Sequence, residues 1–155
     1  MKIIMVSDHA GFNLKEELKR FLVPLVQGME DFGVFSAELP ADDYPLLAAK
    51  AAERVSRKEF DRGIFICGTG IGMSIAANKV PGIRAALCND LYSAKKSREH
   101  NDANVCCLGA RIVGMDLAKE IARSWIETEF AGGRHSGRVE KYGVLEKKYN
   151  RETEI

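Results

Sequence analysis

Gly63 to Asn78 constrains the fold of this chain more than any other stretch. Ile64, Phe65 and Ile66 are β-favouring and run into Cys67; Gly68, Gly70 and Gly72 follow at alternate positions, and an alanine-rich segment then takes helical spacing. The order predicts strand, tight loop, helix. Glycines in such a loop let backbone N–H groups converge without obstruction by Cβ, and a helix start adds partial positive charge. That combination suits an anion or a developing oxyanion. Cys67 stands at the edge of the same field, a candidate base or nucleophile.

The same unit recurs along the chain. Lys2 to Ser7 predicts a strand that stops at Asp8-His9-Ala10-Gly11. Asn13 to Leu25 predicts a helix limited by Pro24, with Leu14, Leu18, Phe21, Leu22 and Leu25 on one face. Gly28 to Val34 is a poorly alternating second strand, because Met29-Glu30-Asp31-Phe32 lacks an apolar face. Ser36 to Tyr44 reads as a polar loop. Pro45 opens a helix to about Lys58, with Ala48, Ala49, Ala52 and Val55 suited to close packing on a sheet. Ile83 to Cys88 predicts a fourth strand, and Asp90 N-caps a helix ending near Glu99, where His100-Asn101-Asp102 breaks the pattern. Asn104 to Leu108 is a fifth strand and Gly109-Ala110-Arg111 a loop. Asp116 to about Phe130 follows as a helix with Leu117, Ile121 and Trp125 inward. Gly132 to Arg138 reads as a mobile linker into a charged C-terminal helix. This alternation predicts a doubly wound, Rossmann-like α/β fold: one domain over residues 1–155, a five-stranded parallel sheet and helices on both faces. Asp8-His9, Cys67 to Gly72, Asn89-Asp90 and Arg111 then all fall at carboxyl ends of strands, where open α/β sheets bind ligands.

Composition narrows the function classes. A net charge of +1 over 155 residues supplies no basic field for nucleic acid, so anion recognition must come from placed side chains. No apolar run approaches a membrane span, and the chain opens on a strand, so a cytoplasmic protein without membrane partners is the expectation. Cys67, Cys88, Cys106 and Cys107 show neither a CxxC pair nor metal-ligand spacing, which fits free thiols in a reducing compartment.

Several readings of the loop compete. A dinucleotide fingerprint would explain Asp90 at the end of the next strand, but the glycines run G-x-G-x-G after a cysteine, in the third unit instead of the first. A P-loop fails for want of a lysine and hydroxyl pair after the last glycine. A plainer reading gives the glycines strand-to-helix packing alone and makes Cys67 a small core residue like Cys88, Cys106 and Cys107. His9, His100 and His135 each lie beside Asp, Asn or Arg in polar surroundings, and none forms a zinc-like pair, so no metal is expected. Arg134 and Arg138, four apart, are either a solvated basic face or a phosphate clamp. Together, a soft base, a proton-moving histidine, an oxyanion cradle and separate arginines are what proton transfer beside a carbonyl in a phosphorylated sugar requires.

With these residues in view, the sequence closely resembles the type B ribose-5-phosphate isomerases, in the wider group that includes galactose-6-phosphate isomerase subunits. The resemblance rests on Ser7-Asp8-His9-Ala10-Gly11-Phe12, Asp43-Tyr44-Pro45, Cys67 to Gly72 with Ile75-Ala76-Ala77-Asn78-Lys79, Gly82-Ile83-Arg84-Ala85, Ser97 to Val105, Gly109-Ala110-Arg111 and Gly132-Gly133-Arg134-His135. It implies a cofactor-independent aldose–ketose isomerase in which Cys67 moves the proton between sugar carbons 1 and 2. The backbone of Gly68, Thr69, Gly70, Ile71 and Gly72, with the Thr69 side chain, would hold the enediolate. His100, helped by Asp8, would open the furanose; Tyr44 and Asn101 would meet the sugar; His9, Arg111, Arg134 and Arg138 would take the phosphate. The resemblance further implies a site between subunits of a homodimer or dimer of dimers, with the 132–155 segment contacting the partner. A branch of the family places a glutamate base where this chain has Met73, so the resemblance is to the cysteine-base branch. The Val34 to Asp43 loop, with Leu39-Pro40-Ala41, is longer than the family pattern. Allose, galactose and tetrose phosphates are alternative substrates, and a sugar-phosphate-binding regulator without turnover is the alternative outside enzymes.

Overall fold

The computed structural model describes residues 1–37 and 43–149. Along the chain run β1 (Lys2–Ser7), α1 (Phe12–Leu22), β2 (Gly28–Asp31), α2 (Tyr44–Ser56), β3 (Arg62–Cys67), α3 (Ile71–Ala77), β4 (Ala85–Leu87), α4 (Leu91–Asn101), β5 (Val105–Gly109), α5 (Met115–Glu127) and α6 (Ser136–Tyr149). The strands form one parallel sheet in the order β2-β1-β3-β5-β4, with helices on both faces, as the alternation predicts. Right-handed crossovers decide which helix goes where. The steps β1 to β2 and β4 to β5 run one way across the sheet and put α1 and α4 on one face. The steps β2 to β3 and β3 to β4 run the other way and put α2 and α3 on the opposite face. Strand side chains alternate to match: Ile3, Met5, Ile64, Ile66, Cys106 and Leu108 pack with α1, α4 and α5, whereas Ile4, Val6, Phe65, Cys67, Val105 and Cys107 pack with α2 and α3.

The helix faces follow from residue size and spacing. α2 buries Ala48, Ala51, Ala52 and Val55, short side chains that let a helix lie close to the sheet, while Ala49 is only partly buried. α5 buries Ala118, Ile121, Ala122, Trp125 and Ile126. Leu117, expected inward, is 39% exposed, because two four-residue steps carry it about 80° around the helix from Trp125. The buried Arg62 guanidinium donates to the Trp125 and Ile126 carbonyls, at 3.0 and 2.9 Å, and so satisfies the last turn of α5.

Other boundaries depart from the sequence expectation for local reasons. α1 stops at Leu22 and a 3₁₀ turn takes Val23–Leu25, since Pro24 cannot donate to the helix; Leu25 is therefore exposed. β2 ends at Asp31, short of Val34, because Gly33 turns the chain at a φ of 109°. Its acidic residues serve as ion partners. Asp31 receives Lys15 and Lys19, both at 2.5 Å, and Glu30 pairs with Arg54. Burial works against the Asp31 carboxylate, but the bonds from Lys15, Lys19 and the Gly33 N–H outweigh it and hold its pKa below the ordinary value. β4 is shorter than predicted. α4 continues through His100 and Asn101, where a break was expected, and stops at Asp102, whose φ of 47° is left-handed; Asp90 caps its start, accepting from the Ser93 N–H at 2.7 Å. α5 ends at Glu127, before Phe130. Gly132 to Arg138 is no linker: Gly133–His135 forms a 3₁₀ turn that runs straight into α6, with His135 buried. Leu39-Pro40-Ala41 and residues 150–155 lie outside the described residues.

Candidate active site

The carboxyl ends of β1, β3 and β5 converge on Cys67. Its Sγ accepts from the Gly70 N–H at 3.1 Å, and the side chain is 6% exposed. The loop beyond is held by backbone contact. Gly70 has a φ of 79°, and a Cβ there would meet the Leu108 carbonyl carbon at 2.9 Å; a Cβ on Gly109 would meet the Thr69 carbonyl oxygen at 2.6 Å. These two glycines let the loop lie directly on the end of β5. Asn89 stitches them together: its Nδ2 donates to the Thr69 carbonyl at 3.2 Å and its Oδ1 accepts from the Gly109 N–H at 2.9 Å. The Ile71 N–H donates to Thr69 Oγ1 at 3.3 Å. α3 holds only seven residues, so converging loop N–H groups, more than a long helix dipole, favour negative charge here.

Four neighbours close around that loop. Asp8, 8% exposed, leaves β1 with its N–H on the Ile66 carbonyl at 3.1 Å and its Oδ1 accepting from Gly11 at 2.8 Å. Gly11 is required there, since a Cβ would sit 2.6 Å from the Ile66 carbonyl oxygen. His9 follows, exposed. Tyr44, at the start of α2, lays its hydroxyl over Gly72, 2.2 Å from where a Cβ would be. The Arg111 side chain runs beside Gly68, and the Arg111 backbone N–H donates to the Gly68 carbonyl at 3.0 Å. Asp8, His9, Tyr44, Cys67 to Gly72 and Arg111 thus form one cluster.

His100, Asn101, Arg134 and Arg138 form another, and the fold keeps the two apart. α4 leaves the carboxyl end of β4 and returns to the amino end of β5, so its last residues lie about 16 Å along the helix from its start. His100 stacks on His135, ring centroids 4.2 Å apart and planes 12° from parallel. Arg134 and Arg138, both exposed, flank the pair. Burial, then the charges of His100, Arg134, Arg138 and Lys96, depresses the His135 pKa below the ordinary histidine value. Asn101 Nδ2 donates to the Tyr142 hydroxyl of α6 at 2.9 Å. The strand ends account for the first cluster; no sequence spacing relates it to the second. Two residues carry more of this architecture than their sequence setting suggests. Asn89 is the residue that ties loop to strand, signalled only by an amide at a strand end. His135 is buried in a turn and stacked, although its glycine and arginine neighbours read as a polar loop.

The chain matches the family model described as Ribose/Galactose Isomerase over residues 3–142. It is 47% identical over 149 residues to the ribose-5-phosphate isomerase B of Escherichia coli, covering 96% of this chain and 99% of that one. It is 46% identical over 132 residues to D-erythrulose-4-phosphate isomerase 2 of Mycolicibacterium smegmatis, covering 84% and 86%. Among solved structures, the Clostridium thermocellum ribose-5-phosphate isomerase B superposes with a TM-score of 0.92 at 55% identity, covering 97% of this chain and all of that one. With the family model spanning most of the residues and the fold shared throughout, the chain belongs to the ribose/galactose isomerase family, as an aldose–ketose isomerase of the ribose-5-phosphate isomerase B type.

Proposed function

We propose that the chain interconverts ribose 5-phosphate and ribulose 5-phosphate through an enediolate, without a cofactor, at a site assembled from two copies. The observation that carries the reading is Cys67, a nearly buried thiol at the end of β3 whose Sγ takes the Gly70 N–H at 3.1 Å beside a loop suited to negative charge. As thiolate, Cys67 takes the proton from carbon 2 of the open aldose and returns it to carbon 1. The Gly68 to Gly72 backbone and Thr69 hold the enediolate oxygens between those steps. Asp8 and Tyr44 position the sugar, and His9 and Arg111 meet the phosphate.

His100 opens the furanose first: the anomeric hydroxyl gives up its proton, the ring oxygen gains one, and the carbon 1 to ring-oxygen bond breaks. Asn101 contacts the sugar, and Arg134 and Arg138 complete the phosphate clamp. Because the two clusters lie at opposite ends of the sheet in each chain, His100, Asn101, Arg134 and Arg138 come from a second copy. Apolar side chains exposed on α3, β4 and α4, among them Ile71, Ile75, Leu87, Leu91 and Tyr92, support a homodimer or dimer of dimers, as does α6, which has no buried residue among those described. Residues 1–155 then act as one isomerase domain, with the 132–155 segment against the partner. All four cysteines are free, which supports a cytoplasmic setting.

The Mycolicibacterium relative supports a second reading, isomerisation of tetrose 4-phosphates. A ring-opening histidine favours the pentose, because a tetrose whose O4 carries phosphate has no furanose to open. A coupled assay on ribose 5-phosphate, allose 6-phosphate and erythrulose 4-phosphate, with and without chelator, separates the readings. We expect ribose 5-phosphate to have the highest kcat/KM, unaffected by the chelator. Failure to exchange the carbon-2 proton of any aldose phosphate with solvent would sink the isomerase reading and leave a sugar-phosphate binder.

A further inference from the structure

Beyond the residues assigned above, the amino-end cluster contains a histidine without a role. His135 is 6% exposed, lies flat on His100 at 4.2 Å, and has its Nδ1 buried with no hydrogen-bond partner among the described residues. A residue present only to fill that space need not be flat or lie within 12° of parallel to the His100 ring. The local chain is shaped to bring this ring in. Gly132 and Gly133 take φ of 61° and 54°, the Ala131 N–H bonds to the Glu99 carbonyl at 3.1 Å, and the His135 N–H closes the turn on Gly132 at 3.0 Å. The segment is thereby fastened to the last turn of α4, with one imidazole against the other.

We propose that His135 is a positioning residue for ring opening: its imidazole, fixed by the Gly132 to Ser136 turn, sets the plane of the His100 ring by stacking. His100 must alternate between giving and taking a proton at two sugar oxygens, which a freely rotating side chain at a helix end does poorly. The buried Nδ1 keeps His135 neutral, since a second N–H there would find no acceptor. Arg134 and Arg138 from the turn and α6, and Lys96 from α4, add positive charge around the pair, while Glu99 is engaged by Lys96 at 2.7 Å. A neutral stacking partner therefore leaves His100 as the member of the pair that exchanges protons. The inference rests on His100 being the ring-opening group.

The test separates ring opening from proton abstraction. Ribulose 5-phosphate has no furanose form, because its O5 carries the phosphate, so exchange of its carbon-1 hydrogen with deuterated solvent needs the base and loop alone. Conversion of ribose 5-phosphate needs the ring step as well. His135→Ala is expected to lower kcat for ribose 5-phosphate on the order of 10- to 100-fold while changing exchange of ribulose 5-phosphate by less than about threefold. His135→Phe, which keeps a flat stacking surface and cannot titrate, is expected to retain most of the wild-type conversion rate. Equal loss of conversion and exchange in His135→Ala, or a rise in KM for both sugars with kcat kept, would overturn the proposal in favour of a structural or phosphate-binding role. If His135→Phe is as impaired as a folded His135→Ala, stacking is not the function and the proposal falls. Wild-type protein that neither converts ribose 5-phosphate nor exchanges ribulose 5-phosphate would refute the proposed function itself, whatever the variants do.

Discussion

The two clusters are built by different means. Around Cys67 the geometry is set by backbone against backbone: Gly11 on Ile66, Gly70 on Leu108 and Gly109 on Thr69 approach so closely that a methyl group has no room. Around His100 it is set by side chains, a stacked pair and exposed arginines, beside a helix in which Gly137 and Gly143 have nothing within 4 Å of an added Cβ. Proton abstraction and oxyanion stabilisation demand placement to fractions of an ångström, and close-packed backbone supplies it. Under the proposed function, the second cluster must admit a bulky, charged substrate, which its exposed arginines permit. Under that function, the rigid half carries the step that tolerates least displacement.

The largest effect tests whether the halves belong to different chains. Cys67→Ala and His100→Ala should each lower turnover of ribose 5-phosphate on the order of 10²- to 10⁴-fold. Mixed and allowed to exchange subunits, the two variants should recover about a quarter of wild-type activity, since half the dimers become mixed and one of their two sites is intact. No recovery in demonstrated mixed dimers would place both residues in one chain's site and break the comparison. Arg134→Ala comes next. Loss of a charged hydrogen bond to phosphate is worth about 1.5–3 kcal/mol, a KM increase of roughly 10- to 150-fold, with thermal stability unchanged because the residue is exposed. Gly70→Ala should show the opposite split. A left-handed non-glycine residue costs about 1–2 kcal/mol before the contact with Leu108 is added, so thermal denaturation should begin several degrees lower, with activity falling alongside. Gly143→Ala is the smallest: helix propensity should strengthen α6 by about 0.5–1 kcal/mol, read as slower amide exchange there, with kcat/KM retained. If the added methyl groups at Gly70 and Gly143 had equal consequences, the contrast between a packed and an open half would be lost.

Much of this was legible because it is local. Strand, loop and helix at Gly63 to Asn78, the Asp90 cap and the alanine face of α2 all follow from residues a few positions apart. The first cluster was also legible, since parallel strands put every strand end on one rim. β2 read poorly for a physical reason: it is an edge strand whose Glu30 and Asp31 serve Arg54, Lys15 and Lys19, so no apolar alternation was needed. Leu117 misled because a leucine on the shoulder of a helix scores like one on its face. The His100–His135 stack spans 35 positions, 135 − 100, and depends on how a glycine turn folds back on α4; no periodicity records that. The strand order was equally hidden, since alternation predicts parallel crossovers but not that β5 enters between β3 and β4.

That insertion governs the order in which the molecule can acquire its shape. β4 has one sheet neighbour, β5, which comes later in the chain, and until β5 arrives the growing sheet ends at β3. Tyr44 of α2 covers Gly72, but the loop after Cys67 rests its backbone on Leu108 and Gly109, and Asn89 ties it to the Gly109 N–H, so its backbone-to-backbone support comes from the last strand to be made. Pairings of such long sequence separation are slow to form. The final path of the loop after Cys67 is therefore a late product of folding, and a nascent chain that has emerged only as far as α4 carries Cys67 without the strand on which that loop comes to rest.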